Sequence, residues 1–138
     1  MAKKKRPLWV PVVTGLILKN SQILIGCRPE DKNLSGKWEF PGGKIELEEA
    51  PEEALKRELQ EELGIEAQIG PLKFVGSHTY GETGILILFY EIKFWKGDPR
   101  PHYHTELKWV EIDELASHSL PEANEKLLPQ IIKAIKNE

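Results

Sequence analysis

The chain has 138 residues, of which 40% are hydrophobic and 30% are charged. This length corresponds to one domain, and the composition excludes a disordered or collagen-like chain. A single cysteine, Cys27, cannot form an internal disulfide bond, which is typical of a protein from a reducing compartment. The longest apolar runs, 8–13 and 85–90, are far shorter than the roughly 20 residues that a membrane-spanning helix requires. We therefore expect a soluble, cytoplasmic protein that does not cross a membrane.

The N-terminus carries four consecutive basic residues, Lys3 to Arg6. Such a run is most often a solvated terminus, and the alternative is a contact with RNA phosphates. The apolar segment that follows lacks the small-residue cleavage site of a signal peptide. We expect residues 1–7 to form a flexible basic terminus and residues 8–138 to form one folded domain.

The first half of the chain predicts strands followed by one helix. β-Branched and aromatic residues between turn signals predict strands over 8–18, 23–27 and 38–40. The segments between them are polar and predict a turn at 19–22 and a loop at 31–37. The triplet Pro41-Gly42-Gly43 also predicts a turn. From Ala50 the apolar residues recur at helical spacing as far as Leu63, with Pro51 near the start and Gly64 as the stop.

The second half adds more strands and a terminal helix. Strands are predicted over 65–69, 74–78, 84–95 and 106–110, and the third is long enough to cross a whole sheet. A turn at 96–99, one helical turn at 113–117 and an amphipathic helix at 122–136 complete the chain. The four tryptophans lie in or beside strands, where core packing is their usual role, and lining a pocket is the alternative for Trp9, which opens the first strand. This order predicts an α+β protein with a mixed β-sheet sandwiched between α-helices.

A run of glutamates is the informative feature of the charge pattern. Nine glutamates and two basic residues lie between Glu46 and Glu66, a net charge of −7 in a chain whose total is −3. Such a run is usually a solvated helix face. Here the spacing indicates more, because Glu58, Glu61 and Glu62 share one face of the predicted helix. Three carboxylates on one patch repel one another unless a cation joins them, and hard divalent cations such as Mg²⁺ prefer oxygen ligands shared with substrate phosphates. The sequence therefore predicts a magnesium site for a polyphosphate, with Pro41-Gly42-Gly43 bringing bare backbone close to it.

The same segment matches a known motif at every position. It reads Gly43, five residues, Glu49, seven residues, and then Arg57-Glu58-Leu59-Gln60-Glu61-Glu62-Leu63-Gly64-Ile65. This resembles the box of the Nudix hydrolase family, here residues 43–65. The segment 36–46 leading into the box and the segment 121–125 before the last helix are similar to those of MutT-type pyrophosphohydrolases. The chain also resembles compact bacterial RNA pyrophosphohydrolases, and the resemblance covers about residues 8 to 135.

The resemblance implies a role for each matching residue. Mg²⁺, with Mn²⁺ as a substitute, would be bound by Glu58, Glu61, Glu62 and the Gly42 carbonyl. Glu58 or Glu61 would take a proton from the attacking water, and Arg57 and Glu49 would brace the loop and the helix. Phosphates and base would be bound by Arg28, Phe40, Gly43, Lys44 and Asn124.

The chain departs from the family pattern at two places. Family members often supply a further metal-binding carboxylate after the box, and an alignment without gaps between Trp95 and Trp109 puts Tyr103 there, with Glu106 as the nearest acid. The arginine that precedes the long strand in MutT is replaced by the Thr83-Gly84 region.

The His102-Tyr103-His104 segment has no third zinc ligand nearby in the sequence, so lining of a pocket or plain surface is the favoured interpretation of its two histidines.

The leading hypothesis is a Mg²⁺-dependent pyrophosphohydrolase that converts nucleoside triphosphates, such as 8-oxo-dGTP, dGTP or GTP, to the monophosphate and pyrophosphate. The second hypothesis is removal of pyrophosphate from the 5′-triphosphate end of RNA, which breaks the same bond. A third is a non-catalytic nucleotide-sensing domain. Sugar nucleotides, ADP-ribose and diadenosine polyphosphates also satisfy the box, and the sequence leaves open whether the chain is a monomer or a homodimer.

Overall fold

The computed structural model describes residues 6–30 and 33–136. In these ranges the chain forms the strands β1 (Leu8–Lys19), β2 (Gln22–Cys27), β3 (Trp38–Glu39), β4 (Gly42–Lys44), β5 (Glu66–Gln68), β6 (Leu72–Tyr80), β7 (Thr83–Ile92), β8 (Phe94–Lys96) and β9 (Glu106–Glu111). The helices are α1 (Pro51–Leu63), a 3-10 helix (Ile112–Ser117) and α2 (Glu122–Lys136). The predicted elements are confirmed to within two residues at each end, except for two that are corrected below.

Strand β1 lies at the centre of a mixed seven-stranded sheet. Its parallel partner is β7, in register from Leu8 opposite Thr83 to Ile17 opposite Ile92. The order across the sheet is β3-β2-β1-β7-β6, with β4 also paired to β1 and β9 also paired to β2. Every pairing other than that of β1 with β7 is antiparallel. Strands β5 and β8 form a separate two-stranded sheet.

Both faces of this sheet are buried under a helix. Successive residues of a strand point to opposite faces, and β1 follows that rule. Val13 and Ile17 pack into the cluster that contains Leu55 and Leu59 of α1, whereas Leu16 packs into the cluster that contains Ile131 of α2. The predicted α+β arrangement of a mixed sheet between helices is confirmed.

Helix α1 has clear start and stop signals. Pro51 occupies its first turn, and the Glu53 carboxylate accepts a hydrogen bond from the Ala50 backbone N–H at 3.3 Å. Gly64 ends the helix in the left-handed conformation, with φ 70°, and its N–H donates to the Gln60 carbonyl. The leucines at helical spacing are fully buried, so the opposite face of α1 is free to present glutamates.

Two sequence predictions are wrong. The Pro41-Gly42-Gly43 triplet is not a turn, because Gly42–Lys44 forms strand β4 against Val12, Val13 and Thr14 of β1. The predicted strand 84–95 is two strands, since β7 stops at Ile92, where its pairing with β1 ends, and β8 takes β5 as its partner.

Part of the prediction for the termini falls outside the described residues. The basic segment 1–7 is described only at Arg6 and Pro7, both of which are exposed. In the described part of the chain no helix is long and apolar enough to cross a membrane.

Candidate active site

A cleft of about 650 Å³ runs between α1, strand β4 and the start of α2. Most of the predicted site residues line it, namely Arg28, Phe40, Gly42, Gly43, Lys44, Glu58, Glu61, Glu62 and Asn124. The two remaining predicted residues, Arg57 and Glu49, do not line the cleft and pack beside it. A larger groove of about 810 Å³ lies elsewhere, beside Lys19, Phe94 and Lys136, and contains none of the predicted residues.

The three glutamates of the helix face are placed at different depths. Glu62 is buried, with 9% of its surface exposed. The side chain of Glu58 is 16% exposed, and that of Glu61 is 60% exposed at the mouth of the cleft. The carboxylates on this face of α1 thus extend from the floor of the cleft to its solvent-exposed mouth. The opposite face of α1 carries the leucines, which pack into the core.

Glu62 lies in an environment that disfavours its negative charge. Burial, followed by the charges of Glu58 and Glu39 and a hydrogen bond with the Glu58 side chain, raises the pKa of Glu62 to about 9. The backbone N–H of Gly42 donates to Glu62 at 3.3 Å and offsets this only in part. At neutral pH the pair formed by Glu58 and Glu62 therefore holds a proton, or requires a cation in its place.

Arg57 is the centre of a set of ion pairs behind the cleft. Its guanidinium donates two hydrogen bonds to Glu49, at 2.7 and 2.9 Å, and one to Glu58 at 2.8 Å. It also donates to the Lys44 carbonyl at 3.2 Å and lies 3.4 Å from Glu61. Its hydrogen bonds lower the pKa of Glu49 to about 2, and the same carboxylates hold the pKa of Arg57 above its ordinary value. Arg57 thus links β4, the loop before α1 and the glutamate face.

The two glycines of β4 allow the sheet and the helix to approach closely. A Cβ atom at Gly42 would lie 2.1 Å from the Val13 carbonyl oxygen, and one at Gly43 would lie 2.5 Å from the Glu58 carboxylate carbon. Only glycine leaves this space, so the Glu58 side chain lies directly against the backbone of β4.

The opposite wall of the cleft is built from other elements. Asn124, near the start of α2, is partly buried, and Tyr80, the last residue of β6, is half-exposed. Phe40 is 5% exposed and packs edge-to-face on Phe89, so it forms the floor of the cleft. Trp9 lies outside the cleft, with its ring over Gly84.

The histidines of the His102-Tyr103-His104 segment are separated. The segment is a bend rather than a strand, and His102 is exposed and lines the cleft, as the pocket-lining interpretation predicts. His104 is instead buried, with 3% exposure, and its Nε2 lies 3.0 Å from Glu39. Tyr103 lines the cleft, whereas Glu106 is exposed at the start of β9 and does not.

Sequence reasoning missed Glu39 as a residue of the site. Glu39 is the cleft carboxylate that lies outside the glutamate-rich helix, and it accepts a hydrogen bond from Arg28 at 3.0 Å. Its position two residues before Pro41-Gly42 in a short strand was the available signal. Over residues 6–30 and 33–136, no three His, Cys, Asp or Glu side chains stand in an arrangement that would hold a metal ion. Glu58 and Glu61 are instead directed to Arg57, and Glu62 is directed to Gly42.

Comparison with known proteins identifies the family. A family model described as NUDIX domain matches residues 13–130. The chain is 36% identical over 121 residues to the CTP pyrophosphohydrolase of Escherichia coli, covering 86% of this chain and 88% of that protein. It is 34% identical over 121 residues to the 8-oxo-dGTP diphosphatase of Escherichia coli, covering 87% and 94%. The solution structure of the Escherichia coli ORF135 protein matches with a TM-score of 0.83 and 31% identity, over 95% of each chain. With the family model spanning most of the chain, and full-length relatives sharing a third of its residues, this protein belongs to the Nudix family of hydrolases.

Proposed function

We propose that this protein is a Mg²⁺-dependent pyrophosphohydrolase that converts a nucleoside triphosphate to the monophosphate and pyrophosphate. Nudix hydrolases generally use divalent metal cations. The relatives described above are named for CTP and for 8-oxo-dGTP, which are both nucleoside triphosphates. We take 8-oxo-dGTP as the first substrate to test, because the Asn124 amide suits the hydrogen-bonding edge of a purine.

The observation that carries this proposal is that Glu58, Glu61 and Glu62 line one cleft beside the bare backbone of Gly42 and Gly43. Glu62 is buried, and the charge of the nearby Glu58 contributes to the raised pKa of Glu62. Carboxylates placed close together in a buried position are stabilised by a proton or by a cation. A carboxylate-only donor set with backbone oxygens nearby has the chemistry that Mg²⁺ prefers.

The chemistry of these donors therefore fits a hard divalent cation, although Glu58 and Glu61 are directed to Arg57 in this structure. Glu58, Glu61 and Glu62 would hold it, together with the Gly42 carbonyl. When bound, the cation supplies positive charge that offsets the phosphate oxygens and activates water as a nucleophile. Substrate and glutamates are both negatively charged, so binding without this charge is strongly unfavourable.

The protein's own residues then position the reaction. The exposed Glu61 carboxylate, or the neighbouring Glu58, accepts the proton of the water that attacks the β-phosphorus. Arg28 and Lys44 bind phosphate oxygens, and the Gly43 backbone lets the substrate approach β4 closely. Phe40 and Asn124 hold the base. Arg57 and Glu49 keep the helix and the loop in a fixed geometry, which suits phosphoryl transfer, a reaction that depends mainly on positioning and electrostatics.

We propose a cytoplasmic location for the protein, because its proposed substrates are found there. Nucleoside triphosphates are made and used there, and the thiol of Cys27 is free. The proposed substrate is the free nucleotide. RNA with a 5′-triphosphate end is the alternative substrate against which this choice is tested.

Pyrophosphate release, measured with and without Mg²⁺, tests the proposal directly. The substrates are 8-oxo-dGTP, dGTP, CTP and a 5′-triphosphate RNA oligonucleotide, with Mn²⁺ as a second metal. We expect metal-dependent release from a free nucleotide, abolished by chelation and restored by Mg²⁺. Preference for the RNA end would replace the free-nucleotide assignment, and no release from any of them by the folded protein would refute the proposal.

A matched pair of variants separates catalysis from folding. Glu61→Gln removes a carboxylate of the cleft, and we expect turnover to fall by more than about a hundredfold, because several kcal/mol of charge stabilisation is lost. Glu66→Gln makes the same change at an exposed position outside the cleft and should leave turnover unchanged. Both variants should keep the unfolding temperature of the parent protein. An active Glu61→Gln variant would contradict the assignment of this glutamate.

A further inference from the structure

Arg28 is held in the cleft by a small polar network that the family motif does not include. Its Nη1 donates to Glu39 Oε1 at 3.0 Å, and its Nε donates to the Asn33 carbonyl at 2.6 Å. The other oxygen of the Glu39 carboxylate, Oε2, lies 3.0 Å from His104 Nε2. Arg28 and Glu39 are 20% and 17% exposed, whereas the His104 side chain is fully buried. The network thus runs from the edge of the cleft into the protein.

The fold provides a seat for the His104 ring. Glu39 stands opposite Gly26 in the pairing of β3 with β2, and a Cβ atom at Gly26 would lie 2.5 Å from His104 Cγ. The ring therefore lies against bare backbone, and the ring of Tyr103 meets it edge-to-face, with 4.9 Å between the ring centroids and 82° between the planes.

The buried nitrogen of His104 settles which way its hydrogen bond runs. Nδ1 is buried and has no hydrogen-bond partner among the described residues. A proton on Nδ1 would leave a buried N–H unsatisfied, which is costly, so Nε2 is the nitrogen that carries a proton and donates it to Glu39. The Glu39 carboxylate then accepts from His104 through one oxygen and from Arg28 through the other.

Each oxygen of the Glu39 carboxylate has one partner, Arg28 for Oε1 and His104 for Oε2, so the carboxylate is held between these two residues. The guanidinium of Arg28 has five N–H donors, and its contacts with residues that the structure describes use two of them. A guanidinium with fixed orientation and free donors is suited to phosphate oxygens.

We propose that Glu39 and His104 are positioning residues that orient Arg28 toward the phosphates of the substrate. This inference rests on the proposed function, because it assigns Arg28 the phosphate-binding role. Holding the side chain in its bound geometry lowers the entropic cost of binding, so loss of the network weakens binding of the triphosphate.

A double-mutant cycle tests this coupling. The variants are Arg28→Ala, Glu39→Gln and the double substitution, with Glu106→Gln as the control for loss of one exposed negative charge. Binding of α,β-methylene-dGTP, which resists cleavage at the reacting bond, is measured by calorimetry in the presence of Mg²⁺. We expect Arg28→Ala to weaken binding about tenfold, as for one charge-assisted hydrogen bond. Glu39→Gln should weaken it several-fold alone and not at all in the Arg28→Ala background.

Further measurements keep the outcomes distinct. Glu39→Gln should raise KM for 8-oxo-dGTP more than it lowers kcat, and it should weaken binding of dGMP less than that of the triphosphate analogue. Mg²⁺ binding in the absence of nucleotide should be unchanged in His104→Leu, because that variant keeps the Glu39 charge that acts on Glu62. His104→Leu, which removes the donor and keeps a buried side chain, should reproduce the effect of Glu39→Gln. Unfolding temperatures show whether each variant is folded.

Additive effects of Arg28→Ala and Glu39→Gln would overturn the inference, because they show that Glu39 acts independently of Arg28. Weaker Mg²⁺ binding by His104→Leu, which keeps the Glu39 charge, would overturn it as well, since the network would then act on the cation. If the parent protein hydrolyses no nucleotide, the proposed function fails, while the binding cycle still measures whether Glu39 acts through Arg28.

Discussion

Because Gly43 has no side chain, the Glu58 carboxylate can lie directly against strand β4. Adding one methyl group at Gly43 tests whether this position of Glu58 matters. In Gly43→Ala, the new Cβ would lie 2.5 Å from the Glu58 carboxylate carbon and 2.6 and 2.7 Å from its two oxygens. Ordinary van der Waals contact begins at about 3.4 Å, so the carboxylate has to move by roughly 1 Å. The backbone of Gly43 lies outside the left-handed region, so alanine itself fits the local conformation.

The displacement of the Glu58 carboxylate should have a large effect on the catalytic rate and a small effect on the free energy of unfolding. A misplacement of about 1 Å in a catalytic constellation costs on the order of a hundredfold in rate. The moving atoms are the end of a flexible side chain, so the free energy of unfolding should change by no more than about 1 kcal/mol. We therefore expect kcat to fall about a hundredfold in a protein that remains folded.

Gly42→Ala is the contrasting variant. Its Cβ would lie 2.1 Å from the Val13 carbonyl oxygen, which is backbone of the central strand, and the φ of Gly42 is +155°. The sheet cannot give way as a side chain can, so we expect about 3 kcal/mol or more of destabilisation. The assays are steady-state hydrolysis of 8-oxo-dGTP with Mg²⁺ and urea unfolding. A Gly43→Ala variant with the parent's kcat would refute the reasoning, because it would show that the position of Glu58 against β4 does not matter.

Three further variants address acid stability, base recognition and the Arg28 network. The folded-state pKa of Glu49, about 2, lies below its ordinary value of 4.5, so its contribution to stability is complete above pH 4.5 and is lost as the pH falls toward 2. Glu49→Gln should therefore flatten the pH dependence of urea unfolding between these two values, and an unchanged slope would contradict the pairing with Arg57. Asn124→Ala should lower kcat/KM for a purine triphosphate about tenfold and leave CTP hydrolysis nearly unchanged, and an equal loss for both bases would remove Asn124 from base recognition. Gly26→Ala should displace the His104 ring and raise KM for 8-oxo-dGTP without abolishing turnover, whereas a parent-like KM in a folded variant would separate His104 from substrate binding.

The fold was largely predictable because its elements carry local signals. Helix α1 has proline at its start, glycine at its end and leucines at helical spacing, so its limits follow from nearest neighbours alone. The two errors depend on distant partners. Gly42 and Gly43 have the composition of a turn, yet they form a strand because β1 offers them backbone partners some thirty residues upstream. The break after Ile92 is likewise set by the end of the pairing between β1 and β7, which no local pattern records.

The candidate site likewise contains residues that the local sequence predicts and residues that only the tertiary structure brings together. The box residues could be predicted because Glu49, Arg57 and the glutamates are tied together by spacing along one loop and one helix. The pair formed by Glu39 and His104 joins positions 65 residues apart, and each residue alone is unremarkable in the sequence. Only the register of β3, β2 and β9 brings them together, so they could be found from the structure but not from the pattern.

The two walls of the cleft are also held by different elements, which affects how substrate specificity is determined. The charged half of the cleft is held by Arg57, whose partners all lie between Lys44 and Glu61, so its geometry depends on one short segment. The other wall is formed by Tyr80 at the end of β6 and Asn124 on α2, which have no bond to Arg57 among the described contacts. A substitution on that wall can therefore change which base is bound while the carboxylate geometry is kept. Relatives that share about a third of the residues and are named for CTP and for 8-oxo-dGTP are consistent with this separation. The base that this chain prefers should accordingly follow exchanges at Tyr80 and Asn124, and the metal requirement should not.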